Sequence, residues 1–228
     1  MKAVILAGGL GSRLRPFTDI IPKPLLPIGD KSILEIQIEQ LKRFGFDEIF
    51  LSTNYKSEYI KRFFGDGSDF GVKLHISKEV QPLGTAGPVK LLKKHLQEPF
   101  LVMNGDILTL TDFSALYSYA ISQNTLLTIS IKKEIIPVAY GNVFFEGDFV
   151  NGIHEKPEIE MYILAGIHVM KPDIMHYIPD NEYFGMDLLI NKLITENQKI
   201  TKYTLEEYWL DVGRIADYEK AQEQFKHE

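Results

Sequence analysis

The stretch Leu6-Ala7-Gly8-Gly9-Leu10-Gly11-Ser12-Arg13-Leu14-Arg15-Pro16 follows directly on the apolar run Ala3–Leu6, which reads as a buried strand ending in glycine. Pro16, Pro22, Pro24 and Pro27 then fall within 12 residues. Proline fixes φ, removes a backbone donor and turns the preceding residue away from helix, so no regular helix starts from this loop. A strand that runs into glycines and leaves as an extended, proline-stiffened arm is the first constraint on the fold. Such a loop suits phosphate, because glycine permits close backbone approach and several N–H groups point into one concavity. By itself it is also compatible with a tight turn.

Spacing removes two common phosphate motifs. With Gly9 and Gly11 as the first glycines of a dinucleotide fingerprint, Leu14 stands where the third belongs, and no Gly-x-x-x-x-Gly-Lys-Ser/Thr string occurs. Asn54, rather than an acid, follows the second strand, which also opposes an NAD-linked reductase. The arm carries cations instead: Arg13, Arg15 and Lys23 lie between Gly11 and Gly29, against the single acid Asp19.

Beyond the arm, strand-like and helix-like stretches alternate. Ser32 opens a helix with capping-box spacing to Glu35; Leu34, Ile38 and Leu41 share its buried face, and Gly45 stops it. Glu48–Thr53 and Val72–Ser77 read as strands, with a short helix, Ser57–Phe64, between them. Thr85 reads as the cap of a helix that carries Pro88 in its first turns and runs to about His95. Phe100–Met103 is a fourth strand, closed by Asn104-Gly105-Asp106. Strands separated by helices imply right-handed crossovers and a mostly parallel sheet.

After about residue 125 the pattern turns to hairpins. Leu126–Ile131, Asn142–Phe145, Phe149–Ile153 and Tyr162–Met170 read as strands, with Glu146-Gly147-Asp148 as one turn. A helix with Met186, Leu189, Ile190 and Leu193 on one face follows, then strands near Ile200–Tyr203 and Tyr208–Leu210 and a polar helix from about Ile215. The expectation is one α/β domain over residues 1–228. It is Rossmann-like, with a mostly parallel mixed sheet flanked by helices. Residues up to about 125 form a nucleotide-type lobe, and about 126–228 form a lobe that adds strands and closes the site. Only 17 residues follow Asp211, too few for a β-helix or acyltransferase module, so none is expected.

Composition limits the function classes. The chain has 228 residues, no cysteine and a net charge of −6. Disulfides, thiolate metal sites and cysteine nucleophiles are excluded, and a general nucleic-acid binder would need a basic face. No apolar run approaches the ~20 residues of a membrane span, and the N-terminal run is too short for a signal peptide. A cytoplasmic protein without membrane or nucleic-acid partners is expected. The six histidines show no ligand spacing, and His75, His154 and His168 in strand-like stretches read as packing or surface residues.

At Gly8–Pro16 and Pro22-Lys23-Pro24 the chain resembles the sugar-1-phosphate nucleotidyltransferases, whose signature is a Gly-Gly-x-Gly-Ser/Thr-Arg-Leu-x-Pro loop followed by Pro-Lys-Pro. The resemblance continues along the chain in matching order, and in look it is nearest to the short mannose-1-phosphate guanylyltransferase-like members. It implies that Leu6, Ala7, Gly8, Gly9, Gly11 and Ser12 cradle a nucleoside triphosphate. Arg13 would then hold the leaving pyrophosphate, and Lys23 would bridge the α-phosphate and a sugar phosphate. It also implies that Asp106 and Asp211 are the metal pair; Mg²⁺ commonly takes one or two carboxylates, with phosphate oxygens and water completing the shell.

Gln81-Pro82-Leu83-Gly84-Thr85-Ala86-Gly87 is where the resemblance places the nucleobase. The Gln81 amide can donate and accept at a base edge, and Gly84 and Thr85 offer backbone groups beside it. The Leu-Gly-Thr-Ala-Gly form looks most like guanylyltransferases, although uridylyl and thymidylyl relatives use similar loops. Tyr140-Gly141, Glu155-Lys156-Pro157 and Ala165-Gly166 match segments that contact the sugar phosphate, with Glu155 accepting from sugar hydroxyls and Lys156 pairing with the phosphate. Leu164 stands where relatives often have asparagine, and Ala139 replaces a common proline, which leaves the sugar open.

The implied reaction joins an NTP, GTP before UTP and dTTP, to a hexose- or heptose-type sugar 1-phosphate with Mg²⁺. It needs no protein nucleophile, because the sugar phosphate is already an anion; positioning and cations carry it. A cytidylyltransferase acting on a non-sugar phosphate and a non-catalytic nucleotide sensor are the rivals. Whether the protein is a monomer or a homo-oligomer is left open.

Overall fold

The computed structural model describes residues 1–9, 11–54 and 56–225. Strand β1 (Lys2–Leu6) leads into the arm, where prolines permit only a 3-10 turn at Ser12–Leu14, the four-residue α1 (Phe17–Ile20) and a second 3-10 turn at Lys23–Leu25. A small hairpin, β2 (Pro27–Ile28) and β3 (Lys31–Ser32), delivers the chain to α2 (Ile33–Arg43). The α2 N-terminus has the expected box: the Ser32 side chain accepts from Glu35 N, and the Glu35 carboxylate accepts from Ser32 N. Then come β4 (Glu48–Thr53), α3 (Ser57–Phe64), β5 (Lys73–Lys78), α4 (Gly87–Leu91) and β6 (Phe100–Asn104).

Beyond the arm and its hairpin, β7 (Ile107–Thr109) and α5 (Phe113–Gln123) also escape the sequence pattern. Helix α5 carries a side-chain N-cap at Asp112, but its hydroxyls and tyrosines blur the helical stripe. In the second half β8 (Leu127–Pro137) and β11 (Glu158–Met170) are longer than their apolar cores. Their far ends are largely exposed and mix charged with apolar residues. Between them lies the hairpin β9 (Asn142–Glu146) and β10 (Phe149–His154). The chain closes with α6 (Met186–Thr195), β12 (Ile200–Thr204), β13 (Trp209–Asp211) and α7 (Ile215–Gln224).

Helix α4 corrects the expectation for Thr85. It starts after Ala86, ends at Leu91, and has no side-chain cap. The Thr85 hydroxyl instead accepts from Met186 N at 2.8 Å, capping the start of α6 from a distant loop. A pattern read along one segment does not reveal a cap given to another.

Among the described residues a seven-stranded sheet runs β12-β8-β11-β6-β1-β4-β5. The β6-β1-β4-β5 pairs and β12-β8 are parallel, while β11 runs antiparallel to both its neighbours. The sheet is thus mixed and mostly parallel, with helices against both faces. Alternation along the central strands divides the core. Ala3, Ile5, Ile49, Leu51, Leu101 and Met103 pack with α2, α3 and α5. Val4, Phe50, Phe100 and Val102 pack with α4 and α6 on the other side. A third cluster joins Leu14, Leu26, Ile28 and Ile33 to Val212, Ala221 and Phe225. It clamps the proline arm against α7, helped by Gln222 Nε2 donating to Pro27 O at 2.6 Å.

Candidate active site

The carboxyl ends of parallel strands are where open α/β sheets bind ligands, and three loops meet there. The first leaves β1. Gly11 has φ +62°, and a Cβ on it would meet Thr18 Cγ2 at 2.8 Å and Lys23 Cβ at 3.2 Å, so glycine lets the arm fold back on the loop. Leu14 N and the Thr18 hydroxyl both donate to Gly11 O, at 2.9 Å each. Leu10, within the expected cradle, lies outside the described residues.

The second loop follows β6. Gly105 N donates to Leu6 O at 2.9 Å, and a Cβ there would stand 2.8 Å from that oxygen. The turn is braced from below by a residue that sequence reading missed: buried Gln37 on α2 donates through Nε2 to Asn104 O and Ile107 O, at 2.9 and 2.8 Å. Only its place on the buried face of an amphipathic helix marked it.

The third is β13, and its pairing brings the two aspartates together. Asp211 is the register partner of Ile107 on β7, and Val212 N donates to Asp106 O at 2.9 Å. From the arm, Lys23 donates through Nζ to Asp106 Oδ2 at 2.6 Å, its side chain only 10% exposed. The carboxyl of Asp211 is held above its ordinary range, first by local burial and then by the charge of Asp106, against the opposing pull of Lys23 and Arg13. The residue as a whole is exposed, so this burial is confined to the surroundings of the carboxyl. Arg13 reaches the same place: a Cβ on Gly213 would lie 3.9 Å from Arg13 Nη1. Arg15 turns away into an exposed ion pair with Asp19.

Next to this constellation a cleft of ≈ 280 Å³ is lined by Leu6, Gly8, Gly9, Gly84, Thr85, Asn104 and Asp106, with Asn54, Glu79, Pro82, Leu83 and Tyr183. The structure therefore gathers most of the expected nucleotide residues on one surface. Ala7 is buried behind it and donates through N to Ser52 O, and Ser12 is exposed on the turn before Arg13. Gln81 lies outside the cleft lining, and its Nε2 donates to Asn181 O at 2.8 Å. Gly84 (φ +81°) is needed for a different reason than expected: a Cβ would stand 2.7 Å from Phe184 O, so it lets two backbone segments cross. A larger hollow of ≈ 780 Å³ along the edge strand β5 contains none of these residues.

The expected sugar residues are divided. Gly166 (φ +68°) sits at the irregularity between Leu164 and His168 in β11 and packs on Asn104. Gly141 lies against Glu155, where a Cβ would stand 2.8 Å from Oε2, and exposed Lys156 follows with φ +45°. These three flank the exposed β9–β10 hairpin and do not belong to the cleft lining.

Among the described residues no cluster of three or more His, Cys, Asp or Glu side chains is found. The Asp106–Asp211 pair alone is a hard-oxygen donor set with mutual repulsion, which fits a divalent ion that completes its shell with phosphate oxygens and water. Nor, among the described residues, is any helix long and apolar enough to cross a membrane.

Comparison with known proteins places the chain. It is 35% identical over 227 residues to a protein of Oryza sativa subsp. japonica named probable mannose-1-phosphate guanylyltransferase 1, covering 96% of this chain and 63% of that one. It is 32% identical to a UTP–glucose-1-phosphate uridylyltransferase of Synechocystis sp., covering 97% and 62%. The chain thus spans less than two thirds of the length of these curated relatives. HddC from Yersinia pseudotuberculosis, crystallised with GMP-PN, superposes with a TM-score of 0.77 at 30% identity, covering 99% of both chains. The family described as nucleotidyl transferase matches residues 2–228, and the chain belongs to it.

Proposed function

We propose that the protein transfers a nucleotidyl group from an NTP, GTP in preference, to a hexose- or heptose-type sugar 1-phosphate, releasing pyrophosphate with Mg²⁺. The observation that carries this is the meeting of Arg13, Lys23, Asp106 and Asp211 beside the cleft, two cations and two carboxylates drawn from three loops. A sugar-phosphate oxygen attacks the α-phosphorus while the α–β bridging P–O bond breaks in line, and pyrophosphate leaves without a proton transfer. The chain's task is to hold two polyanions together and balance their charge.

Loop residues Gly8, Gly9, Gly11 and Ser12 bind the triphosphate, Arg13 sits at its β/γ end, and Lys23 spans the α-phosphate and the sugar phosphate. Asp106 and Asp211 hold the divalent ion, which neutralises and orients phosphate oxygens when bound. Residues up to about 125 serve the nucleotide, and about 126–228, with Gly141, Glu155, Lys156 and Gly166, serve the sugar phosphate. The guanylyl preference draws on the rice relative's name and the GMP-PN bound to HddC. The uridylyltransferase relative is the reason to keep UTP as the second reading.

The test is pyrophosphate release with each of GTP, UTP, CTP, ATP and dTTP against a panel of sugar 1-phosphates, with and without Mg²⁺. Turnover that requires both substrates and the ion supports the reading. Activity only with non-sugar phosphates, or none with any pair, overturns it.

A further inference from the structure

Strand β11 is interrupted where it passes the site. Its register with β8 breaks between Leu164 and His168, and its pairing with β6 begins only at Ile167, so Ala165 and Gly166 belong to neither ladder. A bulge leaves backbone groups without a strand partner, and a buried carbonyl still needs a donor. Ala165 is fully buried, and the indole of Trp209 supplies that donor: Nε1 donates to Ala165 O at 2.8 Å. On the other side Gly166 packs against Asn104, so the bulge is held from two directions.

The donor comes from a short element. Strand β13 pairs with β7 in a separate two-stranded ladder, with Trp209, Leu210 and Asp211 opposite Thr109, Leu108 and Ile107. Such a ladder is marginal by itself. Its start is fixed by Tyr208 O, which accepts from the Thr109 hydroxyl at 2.7 Å and from Leu110 N at 3.0 Å. Its end carries Asp211. The half-buried Trp209 ring packs on the core cluster that holds Ala165 and Ile107. One side chain thus reaches from the strand of a metal-pair carboxylate to the bulge of Gly166. An indole has a single N–H and no acceptor. With that N–H spent on Ala165 O, Trp209 has no polar group left for a substrate and acts through position.

We propose that Trp209 is a positioning residue that couples the two sides of the site. Its bond to Ala165 O holds the Ala165–Gly166 bulge in register with Asp211, so that filling the sugar-phosphate side and filling the metal pair favour each other. This rests on the nucleotidyl-transfer reading and adds to it a link between two groups of residues which that reading treats separately. Coupling of this kind is reciprocal: the sugar phosphate tightens the ion by the same factor by which the ion tightens the sugar phosphate.

Trp209→Phe keeps an aromatic ring in the core and removes the N–H. Electron paramagnetic resonance of Mn²⁺ binding to the whole chain tests the coupling without turnover. It is run alone and with mannose 1-phosphate or glucose 1-phosphate, the sugar phosphates in the relatives' names. In the wild type at least one of the two is expected to tighten Mn²⁺ at least fivefold. In Trp209→Phe the factor is expected to fall within about twofold of unity, while Mn²⁺ alone binds within about threefold of wild type. A purely structural Trp209 would weaken Mn²⁺ with the factor intact, which overturns the proposal; a wild-type factor of one overturns it as well. The chain has one tryptophan, so its ¹⁵N-labelled indole gives a single cross-peak and a test that stands even where the variant fails to fold. In the wild type that peak is expected to move on adding Mg²⁺ and again on adding the sugar phosphate, and a peak that ignores both also overturns the proposal. Coupling without turnover for any substrate pair would sink the transferase reading and leave Trp209 as the link. Turnover with equal factors in the two proteins would leave transfer intact and remove Trp209 from it.

Discussion

Lys23 Nζ lies 2.6 Å from Asp106 Oδ2, tying the proline arm to the turn after β6 across 83 positions of sequence. The pair sets a cation and an acid at the head of the cleft before any substrate binds. Lys23→Ala is expected to lower kcat at least a hundredfold while KM for the nucleotide changes less than tenfold, since the charge matters most as negative charge develops in the transition state. Steady-state kinetics at saturating sugar phosphate checks this. A change confined to KM would make Lys23 a plain binding residue.

Arg13 is exposed and makes no ion pair among the described residues, so Arg13→Ala is expected to change stability by no more than about 0.5 kcal/mol. Its turnover is expected to fall by two or more orders of magnitude if, as proposed, Arg13 is the cation at the leaving group. Near-normal turnover at saturating substrates would remove Arg13 from the machinery.

Asp211 is held in a position that disfavours its charge, through local burial and then Asp106. Asp211→Asn keeps the shape and removes the repulsion. In metal-free buffer the variant is expected to melt no lower than the wild type, while the proposed transfer, assayed with Mg²⁺, falls at least a hundredfold. A melting temperature lower by more than about 4 °C, which is above ~1 kcal/mol for a chain of this size, would instead make the carboxylate structural.

Gly166 has φ +68°, and a Cβ there would stand 2.6 Å from Asn104 Nδ2. Gly166→Ala must strain the backbone or displace Asn104, two residues from Asp106. A loss of about 1–3 kcal/mol is expected, with a lowered kcat that saturating substrates do not restore. Urea unfolding and kinetics on the same preparation measure the two effects, and a fully stable, fully active variant would show that the bulge relaxes freely.

Much of this was legible in the sequence because it is local. Strands β1, β4 and β6 announce themselves as apolar runs, the Ser32–Glu35 box is four residues long, and the prolines forbid helix one bond at a time. What could not be read is held by partners distant in sequence. Thr85 caps α6 across 101 positions, Gln37 braces a turn 67 to 70 positions away, and Gln81 is engaged by a carbonyl 100 positions on. Glu79 looks like one more charged loop residue until Ser52 and the Leu83 amide close around it. The β7–β13 ladder that sets Asp106 beside Asp211 is three residues per strand, too short to leave a pattern.

His168 gives the fold a pH dependence whose sign is fixed by its surroundings. It is 3% exposed in β11, its strand neighbours are Val102 and Ile129, and its Nδ1 has no hydrogen-bond partner among the described residues. Burial pushes its imidazole down from 6.5 to about 4. The unfolded chain therefore takes up a proton that the folded chain refuses at every pH between those values. Stability from this site is complete above about pH 6.5 and is lost progressively as the pH falls toward 4. By linkage, the two values give a loss of about 2 kcal/mol between pH 7 and pH 5. His168→Leu has nothing to protonate, so its urea-unfolding free energy is expected to fall about 2 kcal/mol less than that of the wild type over the same interval, whatever its stability at pH 7. Equal losses in the two proteins would mean that the buried imidazole takes up its proton without leaving the fold.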